Sequence, residues 1–418
     1  MYFPNPEIPL QKELSRIWHS PLSNFYREKY VAAGFSEKDI LDPEKFSSLP
    51  FLTRKELEET PPLKRLYAPE KEIGFVAYTS GTTGSKPVIS FHKLLDAYKY
   101  DPTLGMEVHR ILVTYPPFNK NFGPMFVQMC RESPRPVFPI SADYQNLANS
   151  ALIAKETEPD ALYATPTIAV LLAPHLKEHY STEAIRLIVL CSETLTEARR
   201  EELASLYPNA TLANTYGSSE IGRHIFFPCQ KMLAEKKSYF HTIHDDIAVT
   251  ELIDNELVIT SFKNTVFPLI RYRTGDYFSE LPPCPCGLPG PTLAWYGRED
   301  VDRLRINGIE ILLEDVERAF LPLTPLIGTQ YQLHFHPTDG AAARIVIEIE
   351  KTRFAATDAF RSHIQPQIIA TLKKLRVGTN VTIADAIEKK LFVEPTVEFV
   401  EALSSKTTKL KRFINHLS

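Results

Sequence analysis

The chain has 418 residues, a length that suggests two or three compact units of about 100 to 200 residues each. Hydrophobic residues make up 44% and charged residues 23%, which excludes collagenous, intrinsically disordered and coiled-coil proteins. The formal charge of −4 is too balanced for a protein whose main role is to coat nucleic acid or an anionic membrane, so neither partner is expected.

The sequence also constrains the expected location. No apolar run approaches the ~20 residues that span a bilayer. The N-terminus, MYFPNPEIPL, lacks the basic segment and apolar region of a secretory signal. Five cysteines, an odd number, fit a reducing compartment better than a disulfide framework. These features predict a cytoplasmic protein.

Residues 78–87, YTSGTTGSKP, form a loop of small hydroxyl residues with two glycines and one lysine. Glycines let the backbone approach a polyphosphate, N–H groups and hydroxyls donate to its oxygens, and the lysine adds a positive charge. The spacing differs from that of a Walker loop. A flexible turn is the alternative to a phosphate cradle, whose predicted residues are Thr79, Ser80, Gly81, Thr82, Thr83, Gly84 and Lys86.

Between residues 111 and 216, extended apolar runs alternate with helical patterns. The runs are ILVTYPP, ALYATP, IRLIVLC and ATLANTYG, and the intervening helices end at Tyr180 and extend from Leu195 to Tyr207. This order is typical of an α/β fold with a parallel sheet flanked by helices. Ligands bind such sheets at the carboxyl ends of the strands, where TPT, CSE and YGSSE occur here.

The rest of the chain has a different pattern. Residues 224–296 contain short alternating runs with a hairpin turn at Asp254-Asn255, which predicts a small antiparallel β subdomain. A helix near Leu313 to Phe320, the strands QYQLHFH and RIVIEIE, and an amphipathic helix follow, which predicts a small α+β domain. We place the boundary at 298 to 302, with an N-terminal domain of residues 1–298 and a C-terminal domain of residues 299–418.

Taken together, six segments resemble motifs of the adenylate-forming superfamily, which includes acyl-CoA synthetases, adenylation domains and luciferases. The resemblance spans most of the chain, and the order of the segments is that of the family. They are residues 78–87, 214–220 (NTYGSSE), 271–276 (RYRTGD), 297–300 (GRED), 307–310 (NGIE) and 406–412 (KTTKLKR). Residues 49–57, LPFLTRKEL, resemble the phenylacetate-CoA ligase branch of this superfamily.

The resemblance implies a large N-terminal domain and a small, mobile C-terminal domain that together use ATP, Mg²⁺ and coenzyme A. Glu220 is the implied Mg²⁺ ligand, because a hard cation prefers carboxylate oxygen. Asp276 is expected to accept hydrogen bonds from the ribose hydroxyls. Tyr216 and Gly217 are expected to line the adenine and acyl pocket. The other implied nucleotide-binding residues are Ser192, Glu193, Thr194, Asn214, Ser218, Ser219 and Arg298.

The resemblance also implies a catalytic lysine in the C-terminal segment and a pivot in the GRED segment. Lys409 is the first choice for the lysine, which would stabilise charge that develops between the carboxylate and the α-phosphate. Lys406 and Lys411 are its rivals. Asp300 is the expected pivot, because a domain rotation needs a backbone position that absorbs the change in φ and ψ.

A set of cysteines and one histidine resembles a structural zinc site of some members of this branch. The predicted ligands are Cys229, His241, Cys284 and Cys286, with His244 as the alternative histidine. Three thiolates and one imidazole form a closed tetrahedral site. The alternative is that CPCG is an ordinary turn and Cys229 a buried apolar residue.

The acyl substrate and the thiol acceptor are less constrained. Aromatic residues at Tyr115 to Phe118 and at Tyr163 lie where this family builds its acyl pocket, which favours an aryl or similar small acid. The acceptor is coenzyme A or, alternatively, a carrier protein loaded by a stand-alone adenylation enzyme. A non-catalytic nucleotide-binding protein on the same fold is the third hypothesis, and a homodimer is left open.

Overall fold

The computed structural model describes residues 10–79, 86–93, 101–114, 122–133, 135, 137–243, 247–262, 264–288, 290–298, 301–351, 357–377, 381–403 and 411–417. The chain divides into two compact units. The first unit comprises residues 1–192 and 207–295, and the second comprises residues 193–206 and 296–418. The second unit therefore includes a short segment from the middle of the chain. The predicted domains 1–298 and 299–418 stay a prediction.

The helices follow one another in the order α1 (Leu10–Trp18), α2 (Phe25–Ala32), α3 (Glu37–Leu41), α4 (Arg54–Glu59), α5 (Phe122–Glu132), α6 (Leu147–Thr157), α7 (Pro166–His179), α8 (Glu197–Leu206), α9 (Gln230–Ala234), α10 (Leu313–Phe320), α11 (Thr324–Ile327), α12 (Asp358–Lys374) and α13 (Ile383–Glu388). Threonine side chains fix several helix starts. Thr53, Thr165 and Thr382 each accept a hydrogen bond from a backbone N–H of the first turn, which satisfies a donor that the helix itself leaves open. Among the described helices, none has the length and apolar character needed to cross a membrane.

The strands are β1 (Ile73–Tyr78), β2 (Ile89–Lys93), β3 (Arg110–Val113), β4 (Phe138–Ser141), β5 (Ala161–Ala164), β6 (Leu187–Leu190), β7 (Thr211–Asn214), β8 (Tyr216–Ser218), β9 (Arg223–Phe227), β10 (Tyr239–Phe240), β11 (Thr242–Ile243), β12 (Ile247–Ile253), β13 (Glu256–Ser261), β14 (Leu269–Leu281), β15 (Thr292–Arg298), β16 (Arg303–Ile306), β17 (Ile309–Leu312), β18 (Tyr331–Pro337), β19 (Ala343–Glu350), β20 (Arg376–Val377), β21 (Val381–Thr382), β22 (Thr396–Val400) and β23 (Phe413–Asn415).

A five-stranded parallel sheet, in the order β4-β3-β5-β6-β7, forms the α/β part of the first unit. Every residue of β5 and β6 is buried, which explains why these strands appear in the sequence as continuous apolar runs. The predicted parallel sheet is confirmed. Its edge strand β4 was not predicted, because FPIS contains a proline and exposes Phe138 and so lacks the pattern of a buried strand.

The predicted antiparallel β subdomain is also confirmed. The sheet has the order β10-β15-β14-β13-β12, and its β12–β13 and β13–β14 pairs are antiparallel. Asp254 and Asn255 connect β12 to β13 with φ values of 51° and 68°. Two successive positive φ values are those of a type I′ hairpin turn, which Asp and Asn tolerate better than most residues.

The second unit contains a mixed sheet in the order β22-β19-β18-β23. β18 is antiparallel to β19, whereas β23 and β22 run parallel to their neighbours. The apolar face of α12, formed by Ile364, Ile368 and Leu372, joins the core of this unit, as the sequence periodicity predicts. The predicted α/β fold with an added α+β region is confirmed.

Candidate active site

Part of the predicted site lies outside the described residues. These residues stay predictions and comprise Ser80, Gly81, Thr82, Thr83, Gly84, Tyr115 to Phe118, His244, Asp300, Lys406 and Lys409.

Thr79 and Lys86 flank the predicted phosphate cradle. The Thr79 N–H donates to the Val88 carbonyl at 3.0 Å, and the Val88 N–H donates to Thr79 Oγ1 at 2.9 Å. These two bonds extend the pairing of β1 with β2, so the ends of the cradle are close together. Lys86 is exposed to solvent.

Arg54 links the base of this cradle to the predicted Mg²⁺ ligand. Its Nη2 donates to Thr79 Oγ1 at 3.1 Å, and its Nη1 lies 3.8 Å from Glu220 Oε1. Glu220 is 4% exposed and accepts a hydrogen bond of 3.0 Å from the hydroxyl of Tyr272. Sequence reasoning did not assign Arg54 to the site, although it lies in the LPFLTRKEL segment that indicated the family branch.

The loop that carries Ser219 is held by two side chains of β2. Ser90 Oγ donates to the Ser219 carbonyl at 2.9 Å, and His92 Nε2 lies 3.0 Å from the same oxygen. Gly222 has a φ of +80°, and a Cβ atom there would overlap the His92 ring. The loop therefore needs glycine at this position. Ser90 and His92 were missed, because an alternating β-strand pattern gives no sign of their partners.

Tyr216 and Asp276, two predicted nucleotide-binding residues, are in direct contact. The Tyr216 hydroxyl donates to Asp276 Oδ2 at 2.7 Å, and both residues are buried. The Tyr216 ring packs against Phe226 with centroids 5.3 Å apart and against the edge of Phe278 at 5.0 Å. Aromatic packing on this ring and the hydrogen bond together fix the direction of the carboxylate.

Asn214 ends β7 at the carboxyl edge of the parallel sheet. Its Oδ1 is buried and has no hydrogen-bond partner among the described residues. A buried acceptor without a partner costs about 1 to 3 kcal/mol, so such an atom is expected where a ligand supplies the donor. Thr215, the next residue, is fixed by its N–H and hydroxyl, which both donate to the Leu190 carbonyl.

Ser192 follows β6 with a φ of +70°. A serine in the left-handed region is strained by about 1 kcal/mol, and glycine adopts this conformation without strain.

Three predicted nucleotide-binding residues, Glu193, Thr194 and Arg298, belong to the second unit. Thr194 Oγ1 donates to Asp302 Oδ2 at 3.0 Å, and the Arg298 N–H donates to the same oxygen at 2.9 Å. Gly297 has a φ of +110°, and a Cβ atom there would overlap Asp302. Asp302, which was not predicted, therefore organises the segment on both sides of the expected pivot.

The C-terminal segment is anchored by Arg412. Its Nη1 donates to the carbonyls of Thr329 and Tyr331 at 2.8 Å, and its Nε lies 3.3 Å from Glu317 Oε1. The Arg199 guanidinium donates to the same carboxylate oxygen at 2.8 Å. Burial alone would raise the pKa of Glu317, but the two arginines hold it below its ordinary value.

The backbone of the same segment is also bound. The Leu333 N–H donates to the Arg412 carbonyl, and Gln332 Nε2 donates to the Lys411 carbonyl, both at 2.8 Å. The chain is therefore fixed two residues after Lys409.

The three predicted cysteine ligands lie together. Their sulfur atoms are within 4.8 Å of one another, and the Cys229 and Cys284 sulfurs are 3.7 Å apart. A tetrahedral ion with Zn–S bonds of about 2.3 Å requires sulfur atoms ~3.8 Å apart. His241 does not fall within this 4.8 Å group, but its Nε2 is buried without a hydrogen-bond partner among the described residues.

Tyr163, a predicted pocket residue, packs in the core of the first unit. Its ring stacks on Phe126 with centroids 3.8 Å apart, and its hydroxyl lies 3.0 Å from His224 Nε2. Burial lowers the pKa of His224 to about 3, so the imidazole is neutral at pH 7.

Comparison with known proteins identifies the family of the chain. The sequence model of the family described as AMP-binding enzyme matches residues 31–249, just over half of the chain. The chain belongs to this family. Together with the relatives described next, this match confirms the predictions of an adenylate-forming enzyme of the phenylacetate-CoA ligase-like branch and of an AMP-forming acid–thiol ligase.

Individual relatives cover most of the chain. The phenylacetate-coenzyme A ligase of Thermus thermophilus is 28% identical over 343 residues, which cover 74% of this chain and 73% of that protein. That of Escherichia coli is 23% identical and covers 86% of each. A solved 2-hydroxyisobutyryl-CoA ligase with bound 2-HIB-AMP has a TM-score of 0.73 at 19% identity, covering 98% of this chain and 88% of that one. At this identity, the likeness establishes the fold alone.

Proposed function

We propose that this member of the AMP-binding enzyme family activates a small carboxylic acid with ATP, releases pyrophosphate, and transfers the acyl group from the adenylate to the thiol of coenzyme A. One observation carries the proposal. Two buried hydrogen bonds, Tyr216 to Asp276 and Tyr272 to Glu220, join residues 214–220 to residues 271–276. Two motifs that are distant in sequence thus meet around two buried carboxylates, which supports a single site for one ligand.

The side chains of this cluster suit a nucleoside. Asn214 Oδ1 is an acceptor that the exocyclic amine of adenine can satisfy, which supports its role as a base-binding residue. Asp276 is an acceptor-only carboxylate when ionised, which suits ribose hydroxyls as donors. Tyr216 would hold that carboxylate in place while the sugar binds.

The phosphates would lie against the cradle of residues 79–86. Lys86 is exposed, and Arg54, whose Nε donates to Glu58 at 2.7 Å, bonds to the base of the cradle through Nη2, so two cations lie beside the proposed phosphate site. Glu220 fits Mg²⁺, because its described partners are a hydroxyl at 3.0 Å and an arginine at 3.8 Å rather than a close ion pair. Mg²⁺ would supply neutralisation of phosphate charge.

The C-terminal segment would provide Lys409 as the point charge between substrate carboxylate and α-phosphate. The anchor formed by Arg412 supports this role, because a lysine near a fixed backbone loses less entropy when it engages a substrate. Asp300 stays our proposed pivot for a rotation that would remove Lys409 and admit coenzyme A. Solved 2-hydroxyisobutyryl-CoA ligase complexes contain both 2-HIB-AMP and coenzyme A, which supports the two-step scheme.

We also propose that Cys229, Cys284, Cys286 and His241 hold a structural zinc ion. The fit rests on the 3.7 Å separation of two of the sulfurs and on the unpartnered, buried Nε2 of His241. Zinc would join two loops of the antiparallel subdomain.

An aryl acid as substrate is supported by the phenylacetate-coenzyme A ligases among the relatives. A cytoplasmic location is supported by five free cysteines.

The test is a panel of aryl, arylacetic and short aliphatic acids assayed by pyrophosphate release, with coenzyme A, with holo-carrier protein, or with neither. We expect one class of acid to release pyrophosphate and to form a thioester with coenzyme A. Glu220→Gln and Asp276→Asn should reduce pyrophosphate release while Glu314→Gln does not. If a thioester forms only on the carrier protein, the acceptor is the carrier protein and not coenzyme A. If no acid releases pyrophosphate, the result favours a non-catalytic nucleotide-binding protein. Measuring the molecular mass of the protein in solution shows whether it forms a homodimer.

A further inference from the structure

Three histidines of the second unit form a cluster that the proposed reaction does not use. His334 and His336 lie on β18, and His416 directly follows β23. Their rings are nearly parallel, with centroids 4.2 Å apart for His336 and His416 and 5.4 Å apart for His334 and His416. His334 is buried, His336 half-buried and His416 exposed, so the cluster extends from the interior to solvent.

Strand register explains why these residues meet. Side chains two residues apart on a strand project from the same face, which places His334 and His336 together. β23 runs parallel to β18, with Phe335 opposite Asn415, and the His416 N–H donates to the Phe335 carbonyl at 2.9 Å. The third imidazole is therefore held beside the first two by backbone pairing.

The distances between ring nitrogens fit a shared ion. His334 Nδ1 lies 3.1 Å from His416 Nε2, and one nitrogen from each of the three rings falls within a 4.8 Å group. A tetrahedral ion with metal–nitrogen bonds of about 2.0 to 2.1 Å requires nitrogens ~3.3 Å apart. The lone pair of an imidazole nitrogen lies in the ring plane, and these rings are nearly parallel, so the side chains must rotate to direct three nitrogens at one ion.

A carboxylate lies on the opposite side of the innermost ring. Glu348 Oε2 is 3.2 Å from His334 Nε2, although this nitrogen makes no well-aligned hydrogen bond. When a histidine binds a metal through one nitrogen, the other commonly faces a carboxylate, which orients the ring and increases its basicity. With Nδ1 directed toward His416 and Nε2 toward Glu348, His334 has both halves of that arrangement.

We propose that His334, His336 and His416 bind one divalent transition-metal ion of the zinc class, with Glu348 as the carboxylate that orients His334. Imidazole nitrogens suit zinc, copper and nickel, whereas Mg²⁺ and Ca²⁺ prefer oxygen ligands. The ion ties β23 to β18 and thus adds a clamp to the segment that Arg412 anchors. This inference is independent of the proposed reaction and of the cysteine cluster in the first unit.

The test measures metal binding to the full chain without an affinity tag, after removal of metal with a chelator. Zinc is titrated by calorimetry and bound metal is counted by elemental analysis. His416→Gln is the main variant, because its side chain is exposed and its loss leaves the core intact. His363→Gln replaces an exposed histidine on α12 and is the matched control. Cys286→Ser removes one predicted ligand of the cysteine cluster, so that zinc bound there is distinguished from zinc bound by the histidines.

We expect His416→Gln to lose one bound zinc relative to the wild type and to His363→Gln, and the cysteine variant to retain that zinc. Glu348→Gln should weaken the same site by about 10- to 100-fold, and Mg²⁺ should give no binding signal there. Equal zinc content and affinity in the wild type, His416→Gln and His363→Gln would overturn the proposal. In that case the 3.1 Å contact is a hydrogen bond between two imidazoles.

Discussion

Two buried glutamates, one in each unit, differ in the partners that hold them. Glu317 in the second unit is bound by Arg199 at 2.8 Å and by Arg412 at 3.3 Å, and both arginines are almost fully buried. Glu220 in the first unit receives a tyrosine hydroxyl at 3.0 Å, and its arginine, Arg54, is 3.8 Å away with 30% of its side chain exposed.

This difference supports our proposal that Glu317 is a structural carboxylate and Glu220 a ligand-binding one. A buried charge that is matched closely by opposite charges contributes to the native structure and has little capacity for a ligand. A buried carboxylate whose nearest partner is a neutral hydroxyl has no equally close counter-charge, which favours binding of an incoming cation. On this basis Glu317 belongs to the framework and Glu220 to the proposed site.

The largest expected effect is on stability. Glu317→Ala leaves Arg199 and Arg412 buried without their shared carboxylate, which should lower the free energy of unfolding by about 3 to 5 kcal/mol. Chemical denaturation measures this change. Glu314→Ala on the same helix is the control, because Glu314 is more exposed and should cost less than about 1 kcal/mol. Similar losses for the two variants would contradict the assignment of Glu317.

The next effect is on rate. Lys409→Ala should slow adenylate formation by about a hundredfold or more, equivalent to ~3 kcal/mol, because the lysine would stabilise the transition state more than the bound substrates. Thioester formation from supplied acyl-adenylate should remain close to the wild-type rate. Lys406→Ala is the control, and a larger defect there than in Lys409→Ala would transfer the role to the rival lysine.

Acid should affect the first unit through His224. The pKa of this buried imidazole is about 3 in the folded protein and about 6.5 when unfolded, so only the unfolded state gains a proton in that interval. Stability should therefore fall as the pH decreases below 6.5, by about 2 kcal/mol at pH 5 from this group. Chemical denaturation at pH 6.5 and at pH 5 should show a smaller loss of unfolding free energy for His224→Gln than for the wild type. If His224→Gln keeps the pH dependence of the wild type, as His363→Gln should, the pKa of His224 is about the same in the folded and unfolded states.

The smallest expected effect concerns Arg54. Its partly exposed contact with Glu220 should contribute less than about 1 kcal/mol to folding, so Arg54→Ala should unfold near the wild-type midpoint. Its role at the base of the cradle predicts a raised KM for ATP instead. Arg199→Ala is the matched variant and should show the reverse, with reduced stability. A large stability loss in Arg54→Ala would remove the distinction between the two glutamates.

Local patterns were sufficient for much of this protein. The apolar runs of β5 and β6, the hairpin at Asp254-Asn255 and the apolar face of α12 all follow from hydrophobic periodicity and turn preference, which act over a few residues. The motifs that contain Glu220 and Asp276 could be found in the same way, because the spacing within each motif is short.

Partners distant in sequence could not be found in this way. Arg54 reaches Glu220 across more than 160 positions, and His416 reaches His334 across 82. A side chain carries no local sign of the strand that will pair beside it, so such contacts depend on sheet order and register. The sequence by itself therefore determined the elements and the motifs, whereas the tertiary structure decided which buried carboxylates are matched by close arginines and which are held by a neutral hydroxyl.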